Sequence, residues 1–388
     1  MRGIRVYLTF FFDFTFDAAY HLIPRVRKHL SFVEDFFEKI TVVTIDYRNF
    51  TSTLGGTKIA HLPILPLRVP RHAIWILGTV LGIRKLVNAI KLDRSVVFFT
   101  SPYALYTIIV ARTLKIPLVV HFKYDPTTQP LRTFKRYILN AMINFALRSA
   151  DMIIVPTRRL KYVAINRINR KDSEKKIFIS PNYVDEELFS LSVDGRRIRE
   201  RLSISQDEKV ILYMGRLRHE KGLDVLIEAF SSISNQLYNA RLVIVGEGPQ
   251  RNELEEKCRK LGLSNRVLFL RPVPYTLVPS FLAASDIVVL PSFSEGHPKF
   301  LVEAMMMGKP IVATDVIGIK DTVRAGKEAI LVKPGDPRAL AYALKMLIED
   351  EELARTLGNS AREKALKEYS KKAVFSHAAR NPFLILGF

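Results

Sequence analysis

Residues 285–314 read SDIVVLPSFSEGHPKFLVEAMMMGKPIVAT, which sets a strand, a loop, a helix and a second strand in that order. Residues 286–290 are a short β-branched run of the kind buried on both faces of a parallel sheet. Pro291, Ser292, Gly296 and Pro298 interrupt it. Residues 299–307 predict a compact helix, closed by Gly308 and followed by Pro310. Residues 311–313 are the next buried strand. Glu295 stands in the loop and Glu303 in the helix. Glu303 has Phe300, Leu301, Val302, Ala304 and Met305 around it, and two readings are open. It lies on the one solvated stripe of that helix, or it is held against a ligand.

The alternation extends in both directions. Ahead of the quoted stretch come strands at 209–214, 241–245 and 267–270, with helices at 223–233 and 250–261. After it come a strand at 329–333 and helices at 337–348 and 351–367. The N-terminal part repeats the pattern. Strands are predicted at 4–10, 41–45, 58–62, 96–100, 118–122, 152–155 and 176–180, and helices at 18–28, 32–39, 74–90, 103–114, 133–149 and 157–167. A polar, Arg-rich stretch over 191–208 reads as a linker between a domain at 1–190 and another at 209–370, leaving a tail at 371–388. Two such series predict an α/β protein of two doubly wound, Rossmann-like domains facing across a cleft. Ligands in such sheets bind at the carboxyl ends of the strands.

Composition agrees with a globular chain of more than one domain: 388 residues, 48% hydrophobic. The single cysteine, Cys258, excludes an internal disulfide and suits a reducing cytosol. No signal peptide is evident, because Asp13 and Asp17 break the first apolar stretch. The longest uncharged apolar run elsewhere, 73–83, is about half of a membrane span. The net charge is +21, unevenly spread. Residues 1–200 carry 32 Lys and Arg against 16 Asp and Glu, a balance of +16, whereas residues 201–388 carry 27 against 22, a balance of +5. A basic half implies an anionic partner. The clusters Arg25, Arg27, Lys28; Arg132, Lys135, Arg136; and Arg158, Arg159, Lys161 lie near Leu131, Phe134, Tyr137 and Ile138. That pattern suits an anionic membrane surface. No nucleic-acid recognition motif is present. With no Asp-x-Asp pair and no His cluster at ligand spacing, neither a metal nor a cofactor is expected.

Three further stretches end strands. GRLRHEKG delivers Gly215 and Arg216, with Lys221 opening the next helix; a glycine turn, a guanidinium and an ammonium there suit a phosphate, though surface cations at a turn are usually idle. GEGP, residues 246–249, makes a tight turn and lacks a dinucleotide fingerprint. His121 ends an apolar strand, a position more often structural than functional. Near the N-terminus, FFDFTFD places Phe12, Phe14 and Phe16 either in a core or against a sugar or lipid. Its Asp13 and Asp17 are candidates for an acceptor hydroxyl, with a helix N-cap equally open to Asp17.

EGHPKFLVEAMMMGKPIVAT resembles the signature of the retaining, nucleotide-sugar-dependent glycosyltransferases of family 4 (group 1), which have the GT-B fold. The resemblance is close over residues 176–350 and loose before them, where the family usually has a Gly-rich loop in place of FFDFTFD. It implies a donor site of Gly215, Arg216, Lys221, Gly246, Glu295, Gly296, His297, Pro298, Lys299, Phe300 and Glu303. Arg216 and Lys221 would hold a UDP or GDP diphosphate, Glu295 the donor sugar, Glu303 the ribose, and His121 the transferred sugar. Arg216, Lys221, Glu295 and His121 become the catalytic candidates. Arg271, in RPVPY, stands where the family commonly has Gly. SPNYVDEELF, residues 180–189, is similar to the family's junction motif, with Asn182 a candidate cleft residue. The resemblance implies no protein nucleophile; the basic charge of residues 1–200 suggests a glycan or lipid-linked acceptor and a cytoplasmic protein peripheral on the inner face of the cell membrane. A sugar-nucleotide epimerase of the same architecture and a non-catalytic sugar-nucleotide-binding protein remain alternatives.

Overall fold

The computed structural model describes residues 133–378 apart from Tyr238; before them it describes the strands and one helix named below with short adjoining segments. The chain divides into two compact units after Ser180. The first holds β1 (Arg5–Phe10), β2 (Lys39–Asp46), β3 (Ser52–Leu54), β4 (Thr57–Pro63), β5 (Val96–Thr100), α1 (Leu105–Thr113), β6 (Leu118–His121), α2 (Thr133–Ser149), β7 (Met152–Val155), α3 (Arg158–Ile168) and β8 (Ile177–Ile179). Its strands form one sheet in the order β3-β4-β2-β1-β5-β6-β7-β8, with only β3 antiparallel to its neighbour. Thr157 caps α3 by accepting from Leu160 N–H, and Asn169 ends it in the left-handed conformation.

The second unit begins with α4 (Arg196–Arg201) and β9 (Lys209–Met214). There follow α5 (Leu223–Ser234), β10 (Ala240–Val245), α6 (Arg251–Lys260), β11 (Val267–Leu270), α7 (Val278–Ala284), β12 (Ile287–Leu290), α8 (Lys299–Met306), β13 (Ile311–Thr314), α9 (Ile317–Lys320), β14 (Ile330–Val332), α10 (Pro337–Glu349), α11 (Glu351–Glu368) and α12 (Lys371–Ala378). The sheet is wholly parallel, in the order β11-β10-β9-β12-β13-β14. Alternate side chains of each strand enter opposite cores, as a period of two requires. Ile211, Tyr213, Ile244 and Val289 pack on the side of Phe230 and Leu344. Val210, Leu212, Val245 and Val288 pack on the side of Leu301, Met305 and Tyr369. Both faces are therefore covered, which explains why these strands read as unbroken apolar runs.

The stretch expected as a linker is instead built into the second unit. Arg199 is buried on α4. Its guanidinium donates to the carbonyls of Ala284, Ser205 and Glu208 at 2.9–3.0 Å and to Asp286 Oδ2 at 2.7 Å. Asp286 Oδ2 also accepts from Val210 N–H at 2.7 Å, at the start of β9. A charge cluster that looks solvated in sequence thus ties α4 to two central strands. Of the tail expected at 371–388, residues 371–378 continue the second unit as α12, where Phe375 packs against Tyr183 and Lys371 N–H donates to Val184 carbonyl. Residues 379–388, like the expected helices at 18–28, 32–39 and 74–90, lie outside the described residues.

Replacing Arg199 by Met strips the carbonyls and Asp286 of their donor while keeping the aliphatic stem. The cost is expected near 3 kcal/mol. For a unit of this size that lowers its calorimetric transition by roughly 6–12 °C. A transition that does not move would show that α4 contributes nothing to the unit's stability.

Candidate active site

The strand order determines where a site can form. From β9 the chain builds outward through β10 to β11, then returns to place β12 on β9's other side. Loops leaving the carboxyl ends of β9 and β12 consequently diverge, and the sheet opens a crevice between them. Those loops carry Gly215 to Gly222 and Pro291 to Pro298.

Several contacts lock the two loops together. Gly222 has φ of 63°, and a Cβ there would lie 2.2 Å from the Pro291 carbonyl oxygen, so only glycine fits. Phe293 N–H donates to the Glu220 carbonyl at 2.9 Å. Lys221 Nζ donates to Glu295 Oε1 at 2.6 Å, and Ser292 Oγ donates to the same oxygen at 2.7 Å. Thr314 Oγ1, at the end of β13, donates to the Ser292 carbonyl at 2.5 Å. The Lys221 and Glu295 side chains are 17% and 11% exposed. Lys221, expected from the sequence to face a ligand anion, is therefore engaged with Glu295 in this structure. The pair brings together two residues that sequence separates by more than seventy positions.

Arg216 lies beside this pair and is exposed; among the described residues no ion pair or hydrogen bond holds its guanidinium. Its carbonyl is fixed from behind by Tyr213 Oη at 3.0 Å. Tyr213 is buried, and burial with the nearby Glu295 carboxylate drives its phenol far above the usual range, so it stays a neutral donor. Gly246 comes up against the same turn: a Cβ there would lie 1.8 Å from the Gly215 carbonyl oxygen. Arg251 then bonds the carbonyls of Gly246, Phe269 and Leu270 at 3.2–3.3 Å, joining the ends of β10 and β11.

The remaining residues follow β12. Gly296 is half-buried and Pro298 buried; Pro298 is the residue before α8, where no side chain caps the helix. The first N–H groups of α8 thus keep their positive potential. Lys299 opens the helix with Nζ 4.6 Å above the Tyr275 ring, and Phe300 packs on the second unit's core. Glu303 is 5% exposed among Leu301, Val302, Ala304, Met305 and Met306, all fully buried, so the solvated-stripe reading is excluded. His297 is buried as well. Its imidazole is buried edge-on to Tyr369 at 5.5 Å, and burial lowers its pKa to about 4. Its main-chain carbonyl accepts from Asn182 Nδ2 at 2.6 Å.

His121 belongs to the first unit, at the end of β6, and is 4% exposed. Burial first, then the Lys123 charge, holds its pKa well below the usual imidazole range, so it is neutral at pH 7. Asp13 and Asp17 lie outside the described residues. The positions missed from sequence are Tyr213, Ser292 and Thr314. Each hydroxyl acts through a neighbour, and only the strand-end placement of Tyr213 and Thr314 signals them.

The geometry defines a parallel α/β unit whose switch point carries an anchored ion pair, an exposed arginine and a buried glutamate. Residues 194–364 match the model of the family described as Glycosyl transferases group 1. An uncharacterized glycosyltransferase of Methanocaldococcus jannaschii is 29% identical over 236 residues, 60% of each chain. N-acetyl-alpha-D-glucosaminyl L-malate synthase of Bacillus anthracis is 29% identical over 239 residues, 61% of each. Alpha-D-kanosaminyltransferase of Streptomyces kanamyceticus is 28% identical over 279 residues, 70% of this chain and 71% of that one. The chain thus spans less than two thirds of the first and second of these relatives. Among solved structures, sucrose-phosphate synthase of Thermosynechococcus elongatus superposes with a TM-score of 0.76 at 21% identity, covering 98% of this chain and 99% of that one. HepE of Anabaena, in complex with UDP and glucose, gives 0.76 at 20%, covering 97% and 98%. The fold is that of the GT-B glycosyltransferases, and the second unit is similar to the group 1 family.

The Lys221–Glu295 pair is testable by itself. Lys221→Met and Glu295→Gln are each expected to cost more stability than the double variant, with a coupling of about 1–3 kcal/mol. Strictly additive losses in thermal unfolding would mean that the two loops are held by other contacts.

Proposed function

We propose that the chain is a retaining glycosyltransferase of family 4 that moves a sugar from a UDP- or GDP-linked donor to a lipid-linked or glycan acceptor. The observation that carries this reading is the Lys221–Glu295–Ser292 cluster at the switch point, with buried Glu303 on the helix that follows. The reaction separates a diphosphate from the anomeric carbon, so negative charge grows on phosphate as the sugar becomes oxocarbenium-like. Fixed positive groups close to that phosphate lower the barrier most. Arg216 is the guanidinium placed for it, assisted by the uncapped start of α8 and by Lys299. Lys221, with its charge balanced by Glu295, then fixes the carboxylate that receives the donor sugar's hydroxyls. Glu303 accepts from the ribose. In front-face displacement a leaving phosphate oxygen takes the acceptor proton, so no protein nucleophile is required.

The same reading makes the transfer independent of metal and places the protein in the cytoplasm, peripheral on the inner face of the cell membrane. Among the described residues no helix is long and apolar enough to cross a membrane. Purified protein is given labelled UDP- and GDP-sugars with and without membrane extract, and nucleotide release and altered sugar are scored. Transfer that needs extract and survives EDTA is expected. Sugar converted with no acceptor would make the protein an epimerase, and loss on chelation restored by magnesium would refute metal independence.

Calorimetry with UDP and GDP tests the phosphate contact. Arg216→Ala removes a charge-assisted donor pair and is expected to weaken binding roughly 10- to 100-fold. Unchanged affinity would place the diphosphate away from the β9 loop.

A further inference from the structure

Helix α2 in the first unit is apolar on two sides. Ile143, Ala146 and Leu147 face the core and are fully buried. On the other side Phe134 is 75% exposed, Tyr137 74%, Ile138 43% and Phe145 45%. Positions 134, 138, 141 and 145 recur at the spacing of one helical stripe. A helix covering a sheet normally turns charge outward, so an aromatic stripe there requires an explanation.

Charge supplies one. Neither α2 nor α3 contains an acidic residue. The two helices lie side by side and run the same way: Arg167 of α3 donates to Asn140 and Asn144 of α2 at 3.0 and 3.1 Å, and three residues on, Arg170 shares a hollow with Arg148 and Asn144. That hollow has a volume of about 500 Å³, and Phe145 also lines it. At the opposite end Arg158 and Arg159 open α3, followed by Tyr162 at 68% exposure. Among the described residues, Arg148, Arg158, Arg159 and Arg170 form no ion pair.

We infer that the outward faces of α2 and α3 are a docking surface for an anionic lipid bilayer, with Phe134, Tyr137, Ile138 and Phe145 entering the headgroup region and Arg148 and Arg170 receiving a lipid phosphate. This names the surface behind the peripheral-membrane reading above and rests on it. Arginine alone would fit any polyanion. Aromatic side chains in a helical stripe between the arginines fit an interface that is apolar a few ångströms below its charge. The two helices follow adjacent parallel strands, β6 and β7, so the arginines frame both ends of the stripe.

Flotation of the full chain with vesicles tests the assignment. One set is phosphatidylcholine alone and the other contains phosphatidylglycerol. Binding is expected only with the anionic set, weakening as salt rises. Phe134→Ser with Phe145→Ser is expected to lower partition roughly tenfold at unchanged charge. Arg148→Gln with Arg170→Gln is expected to lower it roughly fivefold per charge. Both pairs sit at the surface and should leave UDP or GDP binding as in the parent. If the Phe pair does not fold, Tyr137→Ser takes its place. Equal recovery with neutral and anionic vesicles, no recovery with either at low salt, or recovery unchanged in both variants overturns the proposal. So does binding to single-stranded RNA, insensitive to the Phe replacements, by a protein that ignores vesicles. Vesicle binding with no affinity for UDP or GDP would instead remove the donor reading and leave this surface standing.

Discussion

The ion pair between Lys221 and Glu295 connects two loops that the sheet itself drives apart. β9 and β12 are neighbours, yet their following segments leave toward different helices. Without a bridge, the crevice between them would widen with each fluctuation of two polar turns. The bridge is short, largely shielded from water and reinforced by Ser292, which Thr314 fixes in turn. A pair so largely shielded contributes little net stability, because desolvation offsets most of the attraction. Its value here is geometric: a carboxylate and an ammonium are held in one arrangement before any ligand arrives, and that order need not be created during a reaction.

Polar groups around this bridge depart from water in graded steps. Arg216 is exposed, Glu295 is mostly shielded, and Glu303 and His297 are buried. The grading separates their electrostatics. An exposed guanidinium is open to an anion without first losing a partner. A buried imidazole held neutral by desolvation keeps the Glu295 loop free of a competing cation. Glu303 has a high cost of burial, which the surrounding apolar helix would not tolerate at an arbitrary position.

The first unit distributes its charge differently. Ion pairs occur in both units, as at Arg167–Asp125 in the first and Arg199–Asp286 in the second, but among the described residues Arg148, Arg158, Arg159 and Arg170 form none and lie near exposed aromatic side chains. The two units share a doubly wound plan and present unlike surfaces.

Strand positions were legible from the sequence because a strand covered on both faces is a short unbroken apolar run. Residues 96–100, 152–155, 209–214 and 267–270 reproduce β5, β7, β9 and β11 without shift. The signature around Glu295 and Glu303 was legible for a related reason: strand, turn and helix there are contiguous, so their spacing is written directly in the chain. What sequence could not convey is pairing at a distance. Arg199 looks like one of four solvated arginines until Asp286 and three carbonyls surround it. Lys221 looks free until β12 brings Glu295 beside it. Composition and periodicity determined the elements, since each depends on neighbours a few residues away. Only the tertiary structure decided which charges are paired and which are presented, because that depends on which strand ends the sheet order makes adjacent.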